Sequence, residues 1–356
     1  MHHTLFGIDN GEVVKKLSID EVAKRAYVSR SVVSRVLNNH PNVSDEARER
    51  VMKIVKKYNY RPSSVARGLA TNHNYEIGIL APRRSDEAYG NGFWSLLHLG
   101  IFEECIQKGY FVTMSPISTD KEAKINTRIL DNKRLDGYIL LTQEVTDVVI
   151  NKLRDREIPM VLVGHGQSNP DLNSVDVDNF SGAYQATNHL IELGHKRIGV
   201  IMARPEMREA IDRIEGYKKA LKDAGLEISE DYIALGDYSQ KHGYDAIKQW
   251  VKQGLDFSAV FCMSDTLAMG ALLALEKENI SVPEQVALVG FDDLPFSQYT
   301  IPPLTTIRQP IYQKGKQAAG LLINQIENEN AEVVHKNLEP NLIIRESCGD
   351  VIASQV

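Results

Sequence analysis

The chain has 356 residues, of which 43% are hydrophobic and 25% charged, with a formal net charge of −6. Those values describe an ordinary globular chain with room for two or three domains and exclude a low-complexity or collagen-like one. No apolar run reaches the length of a bilayer span, so no membrane association is expected.

Residues 1–17 read as a frayed leader. They lack the basic-then-apolar pattern of a secretory signal, which predicts a cytoplasmic protein. Next comes the stretch SIDEVAKRAYVSRSVVSRVLNN, residues 18–39, which predicts two short helices joined by a tight turn. Ser18 can cap the first helix, and Glu21, three residues on, completes a capping box. Ile19, Val22, Ala23 and Ala26 share one face of that helix. Ser29 can cap the second, with Val33 and Leu37 turned inward and Arg30, Ser31, Ser34, Arg35 and Asn38 outward. Arginine can hold guanine O6 and N7 bidentately, and small hydroxyls can bond phosphates or base edges. The pattern fits a helix-turn-helix, and equally a polar surface helix of a small bundle.

Charge separates these readings. Residues 15–70 hold thirteen Lys or Arg against five Asp or Glu, a net +8, which leaves −14 on the remainder. A basic head on an acidic body points to a polyanionic partner for the head alone, nucleic acid, although a solvated charge run gives the same local excess. Ser44 then caps a third helix, with Asp45 and Glu46 in its first turn and an apolar stripe of Val51, Ile54, Val55 and Tyr58. The following segment, SSVARGLA, is helical in composition but too short to hold alone. Gly68 weakens it by roughly 1 kcal/mol relative to Ala.

From residue 75 buried strands alternate with helices. Strands are predicted over 77–81, 110–114, 137–141 and 159–163, with helices over 93–107, 121–131 and 145–156. A second series has helices over 181–193, 208–224, 240–253 and 266–278, with strands over 197–201, near Ile233, over 259–262 and over 286–290. Such alternation predicts parallel sheets covered by helices on both faces. The fold class is therefore an all-α helix-turn-helix head plus an α/β, two-lobed, doubly wound core. Ligands of such cores bind beyond the carboxyl ends of the strands. The residues there are Arg83, Arg84, Ser85 and Asp86, then Ser264 and Asp265, then Asp292 and Asp293. Arg213 precedes Gly216-Tyr217 in a helix, and Tyr238 follows a strand. Carboxylates, a guanidinium and aromatic rings together suit a sugar. Singly, Asp265 could only cap a helix, Arg213 only make a surface pair, and Tyr238 only fill a core.

No catalytic or cofactor motif competes with this reading, and no cofactor or enzymatic activity is expected. Gly90-Asn91-Gly92 is an incomplete dinucleotide fingerprint, with Ser95 at its third glycine position. The GxSxG, HExxH and Walker-type sequences do not occur, and the histidines lack metal-ligand spacing. Cys105, Cys262 and Cys348 are far apart and odd in number, so they read as reduced side chains rather than disulfide or zinc partners. A sugar-binding protein without DNA function is the alternative that the body alone allows.

The segments VSRSVVSRVLN, YRPSSVARGL, HLIELGHKRIGVI, RIEGYKKAL and VGFDDLPFSQYTIPPLTTIRQP stand in an order that resembles the lactose-repressor/galactose-repressor (LacI/GalR) family over roughly residues 18–345. The resemblance implies a helix-turn-helix over 18–61, a hinge helix and linker over 62–75, and an effector-binding and dimerisation domain over 76–356. That domain is similar to periplasmic sugar-binding proteins, its lobes exchanging near 176–180 and 305–310. A homodimeric repressor on near-palindromic operators is implied, controlled allosterically by a small-molecule effector, expected to be a sugar. By position, Arg30 and Ser31 choose the operator and Arg35 contacts base edges. Ser18, Ser29, Ser34, Asn38 and Asn42 meet the DNA backbone. Leu69 wedges into the minor groove, on the hinge segment that also holds Ser63 and Ala66. Arg213, Tyr238 and Asp292 align with effector contacts, as do Phe93, His165 and Ser264. The chain departs from the family at Tyr27, where glycine is usual in the turn, at Gly68 in the hinge, and at Gly164-His165.

Overall fold

A computed structural model describes residues 6–9, 12–15, 17–37, 40–58, 60, 73–82, 92–117, 134–141, 147–164, 169–328 and 330–349. They fall into two compact units, Met1–Asn74 and Tyr75–Val356.

The first unit opens on an antiparallel pair, β1 (Phe6–Asp9) and β2 (Glu12–Lys15), with Ile8 opposite Val13. This replaces the frayed leader read from the sequence. Three helices follow, α1 (Ile19–Ala26), α2 (Arg30–Leu37) and α3 (Asp45–Lys57). The capping box of α1 is complete. Ser18 Oγ accepts from the Glu21 N–H at 3.2 Å, and the Ser18 N–H donates to Glu21 Oε2 at 2.7 Å. Ser44 caps α3 by accepting from the Ala47 N–H. Val22, Ala23, Ala26, Val33, Val36, Val51 and Tyr60 form the core. Val36, three residues from Val33, is the buried partner on α2, whereas Leu37, expected inward, only packs against the edge of this core.

The turn between α1 and α2 needs a left-handed residue, and Tyr27 supplies it at φ 56° and ψ 43°. A Cβ makes this conformation costly, about 1–2 kcal/mol. The Val28 N–H still reaches the Ala23 carbonyl at 3.0 Å, so the turn closes as it would with glycine.

The second unit holds two six-stranded sheets. The first runs in the order β13 (His335–Leu338), β7 (Asn173–Val177), β6 (Met160–Val163), β5 (Gly137–Leu140), β3 (Glu76–Pro82), β4 (Phe111–Ile117). The second runs β14 (Asn341–Ile343), β12 (Thr305–Arg308), β11 (Ala287–Asp292), β10 (Ala259–Cys262), β8 (Ile198–Ala203), β9 (Ile233–Gly236). All described pairings in these sheets are parallel except β12 with β14. Helices α4 (Gly92–Gln107), α5 (Asp147–Arg154) and α10 (Ile311–Glu327) accompany the first sheet. Helices α6 (Asn179–Glu192), α7 (Arg208–Asp223), α8 (Gln240–Lys252) and α9 (Asp265–Lys277) accompany the second. The helix expected over 121–131 lies outside the described residues.

The chain passes between the sheets after β7, after β12 and again between β13 and β14. Helix α10 returns to the first lobe and packs on α4 at backbone contact distance. A Cβ on Gly315 would collide with the Leu97 carbonyl, and one on Gly100 with the Tyr312 carbonyl. Strands β5, β6, β8, β10 and β11 are buried on both faces, as covered parallel sheets require. Cys105, Cys262 and Cys348 are free and buried. No described helix is long and apolar enough to cross a membrane.

Candidate DNA-binding face and effector site

In the N-terminal unit, Arg30, Ser31 and Arg35 are exposed on α2 and Ser34 is half-buried. Ser29 Oγ lies 2.8 Å from Ser31 Oγ and accepts from the Val32 N–H at 3.4 Å, so it caps α2 weakly. The hydroxyl of Ser18 is already engaged in its cap. Asn42 is exposed, its N–H donating to His40 Nδ1 at 3.2 Å. Two contacts fix the helices that carry this face. Arg25 Nη1 donates to the Tyr58 hydroxyl at 2.7 Å, with its guanidinium 4.6 Å from that ring's centre. Arg48 Nη2 donates to the His40 carbonyl at 2.8 Å and pins the loop after α2. Asn38, Ser63, Ala66 and Leu69 lie outside the described residues.

In the second unit the predicted polar groups of one lobe converge. Arg213 on α7 is 4% exposed. Its Nε donates to Asn179 Oδ1 at 2.9 Å, its Nη1 to the Met263 carbonyl, and its guanidinium stacks 3.7 Å from the centre of Phe291. This is neither a surface pair nor a mobile side chain. Asp292 ends β11 at φ 124°, is 6% exposed, and accepts from Gln309 Nε2 at 2.5 Å. Burial raises its pKa above the usual carboxylate range, with Arg213 and then Gln309 opposing the rise. Burial of the Tyr238 phenol raises it as well. Glu209 adds to that rise, Arg213 opposes it and Asp292 adds again, which puts each of the three within electrostatic reach of the phenol.

The remaining candidates differ. Ser264 is buried and spends its hydroxyl on capping α9, accepting from the Leu267 N–H at 3.2 Å. Phe93, in the first turn of α4 on the other lobe, is half-buried and meets Trp94 edge to face at 5.4 Å. It stands near the lobe junction, since a Cβ on neighbouring Gly92 would lie 3.3 Å from Pro295 Cδ. His165 and residues 83–86 lie outside the described residues.

Three further polar groups, Glu209, Gln309 and Lys314, act on Asp292 or Tyr238. Glu209 lies one turn before Arg213 on the same face of α7, a spacing visible in the sequence. Gln309 and Lys314 sit at the second passage between lobes, which periodicity does not reveal. Lys314, 7% exposed, bonds Asp176 beside the first passage at 2.8 Å.

A helix-turn-helix head joined to a two-lobed α/β body, with a buried guanidinium and carboxylate and a half-buried tyrosine near its strand ends, defines a ligand-responsive DNA-binding regulator. Comparison with known proteins places it further. Residues 18–63 match the family described as bacterial regulatory proteins, lacI family. Residues 74–343 match the periplasmic binding proteins and sugar binding domain of the LacI family. The chain belongs to the LacI family. It is 36% identical to the HTH-type transcriptional repressor PurR of Klebsiella pneumoniae (strain 342) over 336 residues, 94% of this chain and 97% of that one. The solved complex of the transcriptional regulator CelR with cellobiose superposes with a TM-score of 0.72 at 30% identity, covering 93% of this chain and 100% of that one. The Lac repressor dimer bound to operator and the anti-inducer ONPF gives 0.76 at 25% identity, covering 94% and 99%. The protein is thus a DNA-binding transcriptional regulator of the allosterically controlled repressor type, with a small-molecule domain in its second unit.

Proposed function

We propose that the protein is a cytoplasmic, homodimeric repressor whose effector is a sugar bound at Arg213, Tyr238 and Asp292. The observation that carries this reading is the buried carboxylate of Asp292 beside the buried guanidinium of Arg213 and the phenol of Tyr238. A carboxylate accepts from two adjacent hydroxyls, the guanidinium donates to ring or hydroxyl oxygens, and an aromatic face covers the apolar side of a pyranose or furanose. The cellobiose complex of CelR supports a sugar, and the Lac repressor dimer supports a twofold assembly. Phe93, on the other lobe, and His165 are further effector contacts in this reading. Ser264 acts through its cap, which orders the start of α9.

On the head, Arg30, Ser31 and Arg35 read bases. Ser18, Ser29, Ser34, Asn38 and Asn42 hold phosphates, with Ser63, Ala66 and Leu69 following along the hinge. Sugar in the cleft changes the relation of the two lobes, and through the hinge segments changes operator affinity. Coupling is reciprocal, so operator alters sugar affinity by the same factor. A thermal-shift panel that includes cellobiose and D-ribose tests the effector class. A sugar that binds the folded state raises Tm in wild type and does so much less in Asp292→Asn. A panel in which no sugar shifts Tm contradicts the reading.

A further inference from the structure

Asp265 is fully buried at the first position of α9, yet it does not cap that helix, because Ser264 does. Its carboxylate turns toward the strand ends and accepts from three donors. Oδ2 takes the Leu294 N–H at 2.8 Å and the Ser297 hydroxyl at 2.5 Å, and Oδ1 takes the Thr306 hydroxyl at 2.5 Å. Space for it exists only because residue 290 is glycine, where a Cβ would collide with Oδ1.

The segment it holds joins the lobes. Leu294, two residues after Asp292, is 1% exposed and lies in the core of the first lobe with Leu97, Ile101 and Ile311. Phe296 packs against the same core, and Pro295 rests by Gly92 at the start of α4. The second lobe therefore inserts residues 294–296 into the first, and Asp265 fastens that insertion from the second lobe's side.

We infer that Asp265 is a positioning residue of the effector site, tying Asp292 and the 294–297 interlobe segment into one unit, so that a change at either is felt at the other. The inference rests on the reading of Asp292 as an effector contact only for its functional consequence. The electrostatics agree with the geometry. Burial and then Asp292 raise the pKa of Asp265, while Ser297, Thr306 and the Leu294 N–H oppose the rise. The groups around the pair are Cys262 on β10, Arg213 on α7, Lys314 on α10 and the phenol of Tyr238.

The test uses the full chain without ligand. NMR follows isotope-labelled aspartate carboxyls, with Asp265 assigned by its loss in Asp265→Asn, and hydrogen exchange follows residues 294–297. In Asp292→Asn the like charge that raises Asp265 is gone, so Asp265 titrates lower by about one pH unit. In Asp265→Asn the 294–297 amides exchange roughly tenfold faster while β5 and β8 keep their protection. A folded Asp292→Asn with an unmoved Asp265 midpoint, or a folded Asp265→Asn with unchanged exchange, overturns the inference. If Asp265→Asn does not fold, Ser297→Ala removes one donor and leaves the carboxylate. The same faster exchange is then expected, and its absence is equally fatal. A parallel cellobiose titration of wild type and Asp292→Asn probes the effector reading separately, because neither ligand-free measurement depends on it.

Discussion

Asp292 and Gln309 are bonded twice. Gln309 Nε2 donates to the Asp292 carboxylate at 2.5 Å, and the Gln309 N–H donates to the Asp292 carbonyl at 3.3 Å. Gln309 follows β12 directly, at the point where the chain leaves the second lobe for α10. The carboxylate proposed to face the effector is thus held by the residue at which the lobes are joined. Gln309→Ala removes a bond to a charged acceptor, a loss of about 1.5–3 kcal/mol. Sugar affinity should fall by an order of magnitude or more. The lost bond favoured the ionised form, so Asp292 rises further and the acid-side loss of binding moves to higher pH. Calorimetric titration across pH checks both effects.

The buried pair Asp265–Asp292 should leave a mark on stability. Both folded-state values are raised above the unfolded ones, chiefly by burial. The folded state therefore binds more protons, and stability falls as pH rises from about 4 through the raised values. Asp265→Asn removes one titrating group and its repulsion. Urea unfolding at several pH values should show wild type losing stability relative to the variant as pH increases. A difference independent of pH would remove the pair from this role.

Tyr27 offers a test of local backbone energetics. It is 86% exposed and left-handed, so Tyr27→Gly loses little packing and relieves the conformation. A head more stable by roughly 0.5–1 kcal/mol is expected. Tyr27→Val, β-branched at positive φ, should destabilise it by more than that. Thermal unfolding of the two variants beside wild type settles the sign.

The DNA-binding face makes a separable prediction. Binding should weaken steeply with salt, because phosphate contacts release counterions. Arg30→Ala should change which operator is preferred, and Ser34→Ala should weaken all sequences alike. Equal weakening of every sequence by Arg30→Ala would take it out of base readout.

Much of this was legible in the residues. Ser18 with Glu21 and Ser44 with Asp45 mark helix starts through side-chain groups that act within one turn, and the structure has both caps. The run Ala259–Cys262 was bounded at its observed ends because a strand buried on both faces reads as an uninterrupted apolar block. Elements that depend on distant partners were not legible. Strand β7, with the sequence NSVDV, and β13, HKNL, are too polar to announce themselves and exist by pairing with each other across about half the chain. Helix α10 was missed although it is 17 residues long. At the candidate site, Asp292 is legible as a charge at a strand end and Arg213 as a charge within a helix, just before Gly216-Tyr217. Asp265 reads either as a pocket carboxylate or as a helix cap, because Ser264 and Asp265 both suit that cap, and the fold shows that Ser264 is the one that takes it.

The central claim is that Asp292 binds effector rather than holding a loop. Asp292→Asn preserves shape and loses the charge-assisted bonds, about 1.5–3 kcal/mol each. The decisive measurement is calorimetric titration of wild type and Asp292→Asn with the sugar that most raises Tm, beside a gel shift with operator DNA and no sugar. Sugar affinity should drop tenfold or more while sugar-free operator affinity stays unchanged. Unchanged sugar affinity in a well-folded Asp292→Asn protein, or equal loss of both activities with an earlier melt, would contradict the account.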